Sequence, residues 1–169
     1  MKKLAKKEKI LPIFAGFVLV AAVSVTLAPR LSGNNGAVPQ ESDALTHGGD
    51  LVIQTDELST AASYFNYDVD GTTVQVFAVQ ASDGTVRLAL NTCQVCNGSP
   101  YAYFEQDGDE FICQNCRNRF ASIDIGRASG GCNPVPIAEE IYTNQNGTIT
   151  VPASFLEENA VRFTNWKNF

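Results

Sequence analysis

Five cysteines carry the chemistry of this 169-residue chain. They are Cys93, Cys96, Cys113, Cys116 and Cys132, in the spacing C-x2-C-x16-C-x2-C-x15-C. Two C-x2-C pairs at that separation are a metal-knuckle signal. Each short turn aims two sulfurs and its backbone amides at one centre. Two such turns, joined by a hairpin, give a tetrahedral four-sulfur site. The spacing therefore names Cys93, Cys96, Cys113 and Cys116 as metal ligands. Four thiolates suit a single zinc or iron ion, or an iron–sulfur cluster.

Cys132 has no place in a simple four-sulfur site. It stands in Gly130-Gly131-Cys132-Asn133-Pro134. The glycines permit close backbone approach and Pro134 fixes the turn. Cys132 is expected near the metal site, as a spare ligand, a redox thiol or a buried structural cysteine. Other uses of the cysteines compete with metal. Two disulfides would leave one thiol unpaired, although thiols outside the cytoplasm tend to oxidise. A dithiol catalyst would open a helix with its C-x2-C. Cys96 instead runs into Asn97-Gly98-Ser99-Pro100, which is turn chemistry. Cys116 runs into Arg117-Asn118-Arg119-Phe120, which is less clear.

Weaker candidates surround this core. His47, the only histidine, falls in a Gly-, Asn- and Ser-rich stretch and reads as a solvated spacer residue rather than a ligand. Tyr101, Tyr103, Phe104, Phe111 and Phe120 are expected to cover the site. Arg117, Arg119 and Arg127 could balance thiolate charge or simply form a solvated face. Asp68-Val69-Asp70-Gly71 resembles the start of a calcium loop but lacks its later ligands, so it reads as a hairpin turn.

The elements that must position the cysteines are strands. Phe65, Tyr67 and Val69 alternate with polar residues, and Asp70-Gly71 follows. Thr72 to Gln80 is β-rich. Asp83-Gly84 marks a second turn before Val86, Leu88 and Leu90. Asp-Gly between alternating runs signals a hairpin. A three-stranded meander is expected from Ser63 to Asn91, with a short strand at Leu51 to Gln54. Between the knuckles, Tyr101 to Phe104 and Glu110 to Ile112 flank Gln106-Asp107-Gly108-Asp109 as a hairpin. Val135 to Tyr142 and Thr148 to Val151 are expected strands around Asn146-Gly147. Pro152 to Asn159 reads as one or two helical turns.

Charge divides the chain. Five lysines against one glutamate occupy residues 1–9, whereas all but one of the 18 acidic residues lie beyond Leu31. So acidic a body, with a sequence pI of 4.7, disfavours nucleic-acid binding. Ile10 to Ala28 carries no charge and, at nineteen residues, approaches the roughly 20 that cross a bilayer. The reading is a basic cytoplasmic head (1–9), a transmembrane anchor (10–28), a flexible linker (29–49) and an extracytoplasmic cysteine-rich metal-binding domain (50–169). Lysines on the near flank keep the head inside. A cleaved signal peptide competes, but Thr26-Leu27-Ala28 followed by Pro29 is a poor cleavage site. The fold class is mainly β: a small β-meander ectodomain with a double-knuckle cysteine site on one N-terminal helix.

Taken together, Asp83-Gly84-Thr85-Val86-Arg87, both C-x2-C pairs, Gln106-Asp107-Gly108-Asp109 and Gly130-Gly131-Cys132-Asn133-Pro134-Val135-Pro136 resemble the FtrD-like membrane iron–sulfur family. The resemblance runs from about Tyr64 to Ile137 and includes all five cysteines. One departure precedes the first pair, where an aromatic and an Asp give way to Ala89-Leu90-Asn91-Thr92. The resemblance implies an iron–sulfur protein of the cell membrane. It would serve metal uptake or electron transfer beside iron transport and redox proteins. The head carries lysine pairs and no Arg-Arg, which favours export unfolded and acquisition of a single ion outside. Three readings stand at this point. They are a redox or metal-handling protein, a structural-zinc ribbon serving as an interaction module, and a disulfide oxidoreductase.

Overall fold

Two-residue turns set the strand order. Asp70 and Gly71 take φ of 49° and 84°, and Asn146 and Gly147 take 52° and 79°. Asp or Asn followed by Gly suits paired left-handed conformations, whose twist matches antiparallel strands. In the computed structural model, residues 39–127 and 130–169 are described. The expected head and anchor lie outside them, as does the spacer up to residue 38. Among the described residues no helix is long and apolar enough to cross a membrane.

The strands are β1 (Gln40–His47), β2 (Leu51–Gln54), β3 (Ser63–Val69), β4 (Thr72–Gln80) and β5 (Val86–Cys93). They continue as β6 (Phe104–Asp107), β7 (Glu110–Cys113), β8 (Arg119–Ala121), β9 (Pro134–Pro136), β10 (Thr143–Gln145) and β11 (Thr148–Val151). One helix, α1 (Ala153–Asn159), follows Pro152. The main sheet has the order β1-β3-β4-β5-β9; two three-stranded sheets are β10-β11-β2 and β6-β7-β8. The expected meander is β3-β4-β5, antiparallel throughout.

The main sheet buries both faces. Along β4, Val74, Val76 and Ala78 point into one core with Leu51, Ile53, Ile149, Val151 and Leu156. Phe77 and Val79 point into another with Phe104, Phe111, Cys93 and Cys113. Strand alternation thus gives β4 one apolar set for each side. The second core holds the knuckles.

Three elements differ from the sequence reading. Gln40–His47, within the stretch read as linker, forms β1, parallel to β3. Its polar residues hide the strand from a hydrophobicity pattern, because sheet pairing needs only backbone groups. The knuckle hairpin starts at Phe104 rather than Tyr101, since Asp107 pairs with Glu110 around Gly108-Asp109. The expected strand at Val135 to Tyr142 shrinks to Pro134–Pro136. Two prolines supply no N–H, so the segment pairs only briefly with β5.

Candidate metal centre

The cysteines sit at strand ends. Cys93 closes β5 and Cys113 closes β7. Cys132 lies two residues before β9, whose Pro134 is in register with Cys93. Three chain segments therefore converge where the main sheet meets the small one.

The Sγ atoms of Cys93, Cys96, Cys113 and Cys132 all lie within 4.8 Å of one another. Cys132 Sγ is 3.2 Å from Cys93 Sγ and 3.5 Å from Cys96 Sγ. Cys116 stands outside this mutually close group, at the far end of the turn that begins at Cys113. Four of the five predicted cysteines form this group, with Cys132 inside it and Cys116 outside. Burial follows the same order. Cys93 and Cys113 are buried, Cys96 and Cys132 half-buried, and Cys116 exposed.

Each knuckle offers amide hydrogens to its first sulfur. The Cys96 N–H donates to Cys93 Sγ at 3.3 Å. The amides of Asn115 and Cys116 donate to Cys113. Past the second knuckle Arg117 adopts φ of 64°, and its N–H returns to the Cys113 carbonyl at 2.8 Å. Such N–H···S bonds favour the thiolate and hold the turn.

Without a cation, Cys113 and Cys132 are held in the thiol form. Cys113 is pushed up to about 12, first by its hydrogen bond to Cys93 and then by burial. Cys132 is raised too, chiefly by burial. Four anionic sulfurs in an apolar shell would repel one another; a divalent ion removes that cost.

The aromatic cover is partly as expected. Phe104 and Phe111 are buried, and Phe120 packs against the same cluster. Tyr101 is instead exposed and stacks on Phe169. Tyr103 lies under the Lys167 ammonium. The arginines find other partners: Arg119 pairs with Asp107 and Glu110, Arg127 with Asp83, and Arg117 bonds the Gln114 side chain. His47 is exposed at the end of β1, 3.5 Å from Asp68.

Sequence reasoning missed Gln94. Its side chain accepts the Gly130 N–H and donates to the Pro134 carbonyl. Its backbone N–H donates to Asn133. The Asn133 side chain bonds Gly130 in turn, and Gly130 and Gly131 take φ of 86° and 68°. The signal was present as the glycine pair, but its partner lay 36 residues away.

Residues 58–163 match the family described as membrane iron-sulfur containing protein FtrD-like. The chain belongs to that family. No curated protein and no solved structure matches it. The family is membrane-associated by its description, and its iron–sulfur character accords with a converging thiol group.

The donor set fits thiolate-bound iron. Sulfurs sharing one tetrahedral ion at about 2.3 Å stand roughly 3.8 Å apart, close to the spacing here. In a cluster the four terminal thiolates are divided among two or four irons, with sulfide between the irons. That arrangement needs a wider cage than four sulfurs within 4.8 Å. The residue types therefore fit either form, and their spacing fits a single ion.

Proposed function

We propose that this chain is a membrane-anchored extracytoplasmic metal-binding protein that moves electrons or metal for an iron transport system. Its site would hold one iron ion on Cys93, Cys96, Cys113 and a fourth thiolate. The observation that carries this reading is the meeting of four sulfurs from three chain segments within 4.8 Å. Bound iron would supply a one-electron couple. The chain's own part is to exclude water with Phe104 and Phe111 and to temper thiolate charge with the knuckle amides. The basic head and apolar run would anchor the domain, with its acidic body outside.

A structural zinc site is the second reading. It is favoured by the position of the cysteines, which tie the ends of β5 and β7 within one apolar cluster. A disulfide oxidoreductase is less well supported. Cys113 and Cys132 are shifted upwards, opposite to the shift that activates a nucleophilic thiol.

The test is metal content, acid-labile sulfide and absorption of the full chain, purified in detergent without oxygen. Iron without sulfide, with charge-transfer bands, is the expected result. Iron with matching sulfide would replace the single ion by a cluster. One colourless zinc per chain would turn the reading to a scaffold. No metal and oxidised thiols would overturn it.

A further inference from the structure

Four thiols converge as a tetrahedral ion requires, and a fifth, Cys116, closes the second knuckle and is the most exposed. We propose that Cys116 is the exchange ligand of this centre, the thiol that replaces Cys132 when a bound ion is received or handed on. The inference rests on the reading that the cysteines hold a metal.

Burial grades the sulfurs. Cys93 and Cys113 are fully buried and form the floor. Cys96 and Cys132 are half-buried, and Cys116 alone is exposed. A site built only to brace the fold would close with four ligands and leave no thiol at its mouth. Position supports the same division. Cys116 closes the C-x2-C turn that begins at Cys113, a floor residue, and stands outside the group that Cys132 completes. Its backbone role is separate from its side chain. The Cys116 N–H is given to Cys113 Sγ, so the knuckle keeps Cys113 in place whichever way the Cys116 thiol turns. The Cys132 loop, with two left-handed glycines, is free of side-chain bulk at the point where it must give way.

The exchange balances without a redox partner. The bond from Cys132 sulfur breaks as the bond from Cys116 sulfur forms. The proton of the incoming Cys116 thiol would pass to the departing Cys132 sulfur, directly or through water. No electron changes hands, and total charge is constant. A receiving thiolate of a partner could then meet the ion at the surface rather than in the core. Ligand-by-ligand replacement avoids a bare ion at any stage, which keeps the barrier low.

The experiment uses the full chain in detergent, loaded with cobalt(II), whose thiolate charge-transfer band reports the ligand set. Release is timed after adding excess EDTA. Cys116→Ser is expected to bind one cobalt with the wild-type band and to release it about tenfold more slowly, one decade in rate. Cys132→Ser, with its fold checked by circular dichroism, is expected to keep one cobalt through Cys116 and to release it faster. Loss of one-to-one binding in Cys116→Ser, as in Cys113→Ser, would make Cys116 a permanent ligand and overturn the proposal. Wild-type release rates in Cys116→Ser would overturn it as well, and so would loss of binding in a folded Cys132→Ser. A wild-type chain that takes up no cobalt would instead remove the metal reading beneath it.

Discussion

The Gln94 side chain accepts the backbone N–H of Gly130 at 2.9 Å and donates to the Pro134 carbonyl at 3.1 Å. One residue inside the first C-x2-C turn thus grips both ends of the segment that carries Cys132. Bonds of this kind orient a ligand without touching the ion. Gln94→Ala is therefore expected to lower metal affinity by about 10–100-fold. The strands should survive, because the Gln94 backbone bond to Asn133 remains. Competition against a chelator of known affinity checks this. Unaltered affinity would mean that backbone pairing alone holds the loop.

Asn91 ties three elements together under the site. Its side-chain oxygen accepts the Phe104 N–H at 2.7 Å, and its amide donates to Gln75 at 2.7 Å. Its carbonyl accepts the Trp166 indole N–H at 2.7 Å. Asn91→Leu would leave two buried polar groups without partners. Such groups cost about 1–3 kcal/mol each, so a loss of about 3 kcal/mol is expected in urea unfolding. Trp166→Phe should cost less, since only the Asn91 carbonyl loses its donor.

Much of this was legible in the chain, and the reasons are local. Asp70-Gly71 and Asn146-Gly147 declare their turns because the left-handed backbone demands such residues. Cys93 and Cys96 declare a knuckle because only three peptide units separate them. Which sulfur joins Cys113 is not local. It depends on how β9 docks on β5, a pairing that sets Val135 opposite Leu90 and Pro134 opposite Cys93. β1 was hidden for a similar reason. Its partner β3 supplies the apolar contacts, and Gln40 contributes mainly a backbone bond to Ala62. Asn91 stood out only as a departure from the family pattern. Its three bonds could not be read from that.

Asp83 makes acid stability sensitive to one turn. Bonds from the Thr85 hydroxyl and amide hold its carboxyl below the ordinary value of 3.8, and Arg87 adds to this. Arg87 is nearly buried and meets Asp83 at 2.9 Å. A depressed carboxyl favours the fold above 3.8, and that benefit is lost as pH falls through the folded value. Asp83→Asn should therefore melt below wild type at neutral pH. The gap should close as pH drops beneath 3.8. A gap constant with pH would show that the turn, not the charge, carries the effect.

Metal uptake should expel protons. Hydrogen bonding to Cys93 and then burial push Cys113 up to about 12, and burial raises Cys132. At neutral pH both are thiols, whereas a ligating sulfur is a thiolate. Each therefore gives up a proton when an ion binds, and apparent affinity must rise with pH. The sign reverses for the metal-free chain. A thiol raised in the fold stabilises it fully below the ordinary 9.0, and the benefit fades as pH climbs towards 12. Melting temperature without metal should thus fall above 9.0, while the loaded chain, already holding thiolates, should fall less. Calorimetric titration with zinc in buffers of different ionisation enthalpy counts the protons directly. At least two per ion are expected from Cys113 and Cys132, and a count near zero would show that the thiols are ionised before the ion arrives.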